Sequence, residues 1–294
     1  MKRCDTLNLV LSMLIFGSIG IFRRFIPFPS AFVAMARGFI GVAFIMAILL
    51  FSRKRISFSA IKNNLLLLLL SGAFIGINWL LLFESYNNTT VATATLCYYM
   101  APVFVMIASA IFFKEKITLK KALCIIGAIV GMIFVSGIIE SGMPSVSEFT
   151  GILLGLGAAI FYATVILLNK KMKDISSYDM TVVQLLIAAL VVMPYSFLCE
   201  DVVFSGVPYY SFLLLILVGV LHTGLAYFLY FGSVKELPSD KVAIFAYIDP
   251  IVAILLSFVI LHEEMTLLSA IGAVLILALT LISEVNLKSL FKRK

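Results

Sequence analysis

Apolar runs of ~17–22 residues, the length a helix needs to cross a bilayer, recur along the whole chain with short polar breaks between them. They are Leu7–Phe22, Ala31–Phe51, Leu65–Phe83, Val91–Phe113, Ala122–Ile139, Gly151–Leu168, Thr181–Leu198, Tyr210–Phe231, Val242–Leu261 and Leu267–Ile282. A barrel strand would need only about ten residues, so these runs are too long for a barrel. The chain is 63% apolar and 13% charged, whereas a water-facing domain carries about a quarter charged residues. In lipid, only helices and closed barrels satisfy their backbone polar groups. The sequence therefore predicts an all-α membrane protein of ten transmembrane helices, with no soluble module attached.

Charge distribution predicts the orientation. Lys2 and Arg3 precede the first run and Arg23 and Arg24 follow it, with no small-residue cleavage site, so it reads as an uncleaved first helix. With ten spans, one set of loops collects nearly all the Lys and Arg, including Arg53, Lys62, Lys114, Lys116, Lys120, Lys121, Lys170, Lys171, Lys173, Lys235 and Lys241. The other set holds Arg23 and Arg24 beside Glu140, Glu148, Glu200, Asp201, Glu263 and Glu264. This asymmetry predicts both termini in the cytoplasm, and the expected location is a bacterial plasma membrane. It also accounts for the net charge of +7 without nucleic acid as a partner. Cys4, Cys97, Cys124 and Cys199 show no metal-ligand or redox spacing, and neither metal nor cofactor is expected.

The two halves repeat one another. A shift of 148 superposes Gly76 on Gly224, Phe83 on Phe231, Ser85 on Ser233, Tyr99 on Tyr247, Pro102 on Pro250, Ser109 on Ser257, Glu115 on Glu263 and Thr118 on Thr266. Each half holds five spans, an odd number, so the second enters the membrane in the opposite sense. Such inverted repeats place a binding site between the halves near the bilayer midplane. The expected division is residues 1–140, residues 148–286 and a basic cytoplasmic tail, 287–294.

The fourth and ninth spans read APVFVMIASAIFFKEKIT and DPIVAILLSFVILHEEMT, a helix proline followed thirteen residues later by glutamate and a new span. Duplicated in a ten-span chain, this pattern resembles the EamA-type repeat of the drug/metabolite transporter superfamily. Arg37, in FVAMARGFIG, stands where that family often carries an arginine. Lys114 and His262 replace the glycine usual before the glutamate. The resemblance covers about Leu9 to Ile282 and implies a secondary transporter, often an exporter, of amino acids, related metabolites or toxic compounds.

Pro102 and Pro250 are expected inside their helices, freeing the carbonyls of Tyr98 and Ala246 as a gate or a packing kink. Glu115 and Glu263 are expected to serve as structural helix-end groups. Residues that break the repeat point to the ligand. Asp249 faces Ala101, His222 faces Phe74, Glu84 faces Gly232, Asn78 faces Ala226, and Arg37 answers Gln184. An ionisable group within a span costs about 2.5–3.5 kcal/mol on insertion scales and so faces the bundle interior or a cavity. Asp249, with His222 and Glu84, is the expected proton-coupling set. Arg37, Asn78, Trp79, Tyr99, Gln184, Tyr227 and Tyr247 are the expected substrate-binding set. Gly127-xxx-Gly131 suits close helix packing or a homodimer.

No HExxH, GxSxG or paired aspartates occur, which argues against an intramembrane enzyme. No ATP-binding module occurs either, so uphill transport would draw on an ion gradient or exchange. A passive facilitator or channel, or a non-transporting scaffold or sensor, is the competing reading.

Overall fold

The computed structural model describes residues 2–53, 56–234 and 236–284. The expected tail at 287–294, and Lys54, Arg55 and Lys235 of the basic loops, lie outside them. Among the described residues the chain is helical, with no strand. In order the membrane helices are α1 (Lys2–Arg24), α2 (Ser30–Phe51), α3 (Leu65–Asn88), α4a (Val91–Tyr98) and α4b (Ala101–Phe113), and α5 (Leu119–Val135). The second half repeats the series as α6 (Val146–Asn169), α7 (Ser177–Leu198), α8 (running from Tyr209 to Val234), α9a (Ser239–Ala246) and α9b (Ile248–Ile260), and α10 (Leu267–Glu284). Nine of these spans reach 18 residues or more among the described residues, and α5 has 17.

Helix starts follow local chemistry. Thr90 accepts the Thr93 N–H at 3.0 Å to open α4a. Ser145 and Glu148 form a reciprocal capping box that starts α6 at Val146, five residues ahead of the apolar run. Ser176 accepts the Asp179 N–H at 3.0 Å to open α7. The fifth span is shorter than its apolar run, because Gly137 adopts a left-handed φ of 72° and a separate short helix, Ile138–Ser141, follows.

The two prolines do not sit inside continuous helices. The fourth and ninth spans are broken at Tyr99–Met100 and at Tyr247, and each proline falls in the first turn of the segment after the break. That is where a helix tolerates a residue without an N–H, since first-turn donors have no intrahelical acceptor anyway.

Packing is reciprocal between the halves. The first helix of the second half, α6, lies along α3 and α4, and α1 lies along α8 and α9. The second helices, α2 and α7, pair directly, and α5 and α10 form an outlying pair. A Cβ added at Gly131 would come within 2.8 Å of the Gly272 carbonyl oxygen. The Gly127-xxx-Gly131 motif is therefore engaged within the chain, by α10. Outward faces carry exposed Leu50, Phe112, Leu198 and Leu267, as lipid contact requires.

Candidate functional site

The breaks of α4 and α9 meet at the centre of the bundle. The rings of Tyr99 and Tyr247, equivalent in the two repeats, lie 6.1 Å apart. The Tyr99 hydroxyl donates to the Ala246 carbonyl at 3.3 Å. Pro250 lacks the N–H that would have bonded that carbonyl, so a side chain from one half seals the backbone break of the other. Asp249 follows in the first turn of α9b, and α1 approaches so closely that a Cβ at Gly17 would collide with the Asp249 carbonyl oxygen.

Around Asp249 the bundle is aromatic. Tyr86, Tyr98, Tyr99, Tyr162 and Tyr227 all lie within electrostatic reach of its carboxyl group. Tyr98 and Tyr162 sit 5.2 Å apart, and Phe16 of α1 meets Tyr227 edge-on at 5.2 Å. These groups are surrounded by protein, yet Tyr162 stays 38% exposed and Tyr98, Tyr99, Tyr227 and Asp249 are only half-buried. They bring α4, α6, α8 and α9 together in one aromatic cluster between the halves.

Beside this cluster, within electrostatic reach of Tyr98 and Tyr227, lies Arg37, only 3% exposed. Its Nε donates to Thr223 Oγ1 at 2.9 Å, and its guanidinium carbon lies 4.2 Å from the Trp79 ring centre and 5.3 Å from that of Phe83. Thr223 belongs to Val218–Leu225, a stretch of α8 whose turns widen to π type. Within it the Thr223 hydroxyl also reaches the carbonyl of Val218, five residues back, at 3.4 Å. Gly41 and Gly219 let α2 and α8 approach there, since a Cβ at either would strike Thr223 or Ile40. His222, one residue earlier and 1% exposed, turns the other way. Its Nε2 is 3.0 Å from Ser18 Oγ, its ring lies edge-on to Phe22 at 4.8 Å, and its Nδ1 is buried without a partner.

Other predicted site residues lie apart from this centre. Gln184 donates to Ser71 and Asn169 at 2.6 and 2.7 Å, tying α7 to α3 and α6. Asn78 donates to the Ala158 carbonyl at 2.7 Å, tying α3 to α6. Glu84 is near Asn87 at the end of α3, within electrostatic reach of Arg23. Thr223 was missed by sequence reasoning, because a hydroxyl amid apolar residues carries no distinguishing signal. Among the described residues no group of His, Cys, Asp or Glu has metal-binding geometry.

The two ends of the bundle differ. At the end where α1 finishes, Glu263 accepts from Arg24 at 3.2 Å, from the Val91 N–H at 2.8 Å and from the Ser257 hydroxyl. Arg24 also donates to the Thr89 carbonyl at 2.7 Å, and Glu200 accepts the N–H groups of Ala31 and Phe32 at 2.9 and 3.1 Å. Carboxylates of the second half thus hold helix N-termini of the first, where the helix dipole favours them. At the opposite end Glu115, the counterpart of Glu263, pairs with Lys121 of its own half at 3.4 Å. The Glu115 side chain is 53% exposed against 13% for Glu263. Asn64 grips the Lys173 backbone at this end, donating at 2.9 Å and accepting at 3.2 Å.

Relatives of the chain are named as transporters. The chain is 30% identical over 286 residues to "Uncharacterized transporter YxxF" of Bacillus subtilis (strain 168), covering 96% of this chain and 90% of that one. It is 27% identical to an "Uncharacterized transporter" of Archaeoglobus fulgidus, over 94% of each chain. "Solute carrier family 35 member G1" of Mus musculus is 31% identical over 137 residues, 44% of this chain and 37% of that one. A solved crystal structure shares the fold over the full length of both chains, with a TM-score of 0.68 at 16% identity. The EamA-like transporter family matches residues 6–137 and again 149–283. With both halves matched and transport, not enzymatic catalysis, the activity of its relatives, the chain belongs to the EamA-like transporter family.

Proposed function

We propose that the chain is a secondary active transporter that exports small metabolites, amino acids and related compounds among them, by alternating access. The observation that supports this most is the unequal use of Glu115 and Glu263. Equivalent in sequence, one bridges the halves and the other does not. Two equivalent latches engaged one at a time suit a transporter that opens its centre to one side and then the other. With Glu263 engaged, access to the tyrosine-lined centre is from the Glu115 end, where the charge asymmetry places the cytoplasm. In the opposite state Glu115 takes the N-terminus of α9a, as Glu263 takes that of α4a here.

Asp249 is the proposed proton carrier. It is an ionisable group beside a helix break inside a span, packed against α1 and among the tyrosines, the placement expected of an intramembrane proton carrier. The test is transport in proteoliposomes. The parent chain should accumulate substrate under an imposed pH gradient and lose that accumulation with an uncoupler. Asp249→Asn should abolish pH-driven accumulation while retaining substrate exchange. Full pH-driven transport by that variant would remove Asp249 from the mechanism, and accumulation indifferent to uncoupler would favour a facilitator.

A further inference from the structure

Arg37 is a buried cation that has no counter-ion among the described residues. Among the described residues the ion pairs are Arg24 with Glu263 and Lys121 with Glu115, and no carboxylate pairs with Arg37. Its Nε is hydrogen-bonded, and among the described residues neither terminal nitrogen has an acceptor. Leaving a charge buried and unpaired is costly, and a fixed dipole or one ring face offsets only part of that cost. An arginine kept this way in a span is held for something that arrives.

The surroundings restrict how a partner can approach. Trp79 and Phe83, one turn apart on α3, lie against the guanidinium, so that side is occupied. Thr223 occupies Nε, which removes the side-on approach that uses Nε with one terminal nitrogen. What remains is the end-on edge, two parallel N–H donors from the two Nη atoms, with Tyr98 and Tyr227 within electrostatic reach. Two parallel donors match the two oxygens of a carboxylate. Thr223 can hold Nε because the wide turn lets its own hydroxyl proton go back to Val218, leaving a lone pair for Arg37.

We propose that Arg37, oriented by Thr223 and Trp79, is an end-on receptor for a carboxylate on the transported molecule, with Thr223 a positioning residue. This rests on the transporter reading above and names the chemical class of its substrate.

Trp79 makes a direct test available, because it is the one tryptophan in the sequence and stacks on Arg37. The purified full chain, in detergent and low-chloride buffer, is titrated with benzoate and 3-phenylpropionate, each beside its neutral amide. The carboxylates should change Trp79 emission saturably, and the amides should not. Thr223→Val, which keeps the shape and loses the hydroxyl, should weaken carboxylate binding about tenfold, the size expected for one hydrogen bond to a charged group. Thr223→Ser should stay within about threefold of the parent, a rescue that a purely structural role would not require. Arg37→Lys should bind more weakly than the parent, since a point charge lacks the fork. If Thr223→Val does not stay monodisperse, Thr223→Ala takes its place. Equal responses to carboxylates and amides, no response to either, or parent-like binding by the hydroxyl-free variants would each overturn the proposal. Proton-driven transport alongside such a result would overturn this receptor alone. Carboxylate binding by a chain that transports nothing would instead overturn the transporter reading.

Discussion

Tyr99 serves two purposes with one side chain. Its ring faces Tyr247 across the interface of the halves, and its hydroxyl satisfies the Ala246 carbonyl that Pro250 leaves open. Tyr99→Phe keeps the ring and removes the hydroxyl. It should lower stability by about 1 kcal/mol, the net value of one such bond, seen as a lower melting temperature in detergent. An unchanged melting temperature would mean that the carbonyl finds water or another donor. Single residues were legible in sequence where their charge was unusual for a span. Arg37 and Asp249 stand out in apolar surroundings, and both lie within electrostatic reach of Tyr98 and Tyr227. Asn78 and Gln184 stood out equally but spend their amides on Ala158, Ser71 and Asn169. Polarity in a span signals that a partner exists without saying whether that partner is ligand or protein. Thr223 gave no signal, because its role depends on a wide turn that propensity and hydropathy do not encode.

The broken helices and their carboxylate latches carry the next prediction. A label pair at Phe25 and Glu264, both exposed, spans the latch in a chain lacking Cys4 and Cys199. Glu263→Gln removes the charge that holds Arg24 and the α4a N-terminus, so the distance between spin labels there should lengthen or become bimodal. Glu115→Gln, whose partner is a surface lysine in its own half, should leave it unchanged. Equal behaviour of the two variants would argue against one-at-a-time latching. At this scale the sequence was informative about which helices are special and less so about where they change. The proline–glutamate spacing marked the fourth and ninth spans, but the breaks lie ahead of the prolines because first-turn proline is cheap and mid-helix proline is not. The fifth span was read too long, since apolar residues continue past Gly137 although its left-handed backbone ends the helix.

For the whole molecule, the inverted repeat and the charge asymmetry make a joint statement about sidedness. Cysteines placed at Asn87 and next to Glu200 should react with an impermeant reagent in intact cells. One at Lys62 should react only after permeabilisation, in a background lacking Cys4 and Cys199. The opposite labelling would invert the assignment of the cytoplasmic side and, with it, the direction of access proposed above. The overall architecture was the most legible level, because bilayer thickness fixes span length and loop charge is written directly in sequence. Contacts between the halves were the least legible, since they depend on which face of each apolar helix turns inward.

The widened turn in α8 has a consequence beyond its hold on Thr223. A π turn accommodates one residue more than an α turn, and each residue of an α-helix advances by about 100° around the axis. Everything in α8 after Leu225 is therefore phased as though a residue had been inserted, and Tyr227 and Tyr230 owe their inward azimuth to that phase shift. Deleting one residue from Val218–Leu225 would let the helix relax to regular winding with both tyrosines still facing Phe16, whereas forcing α winding at full length would turn them away by about 100°. The second half thus carries, in the winding of one helix, a phase difference from the first that the gap-free repeat conceals.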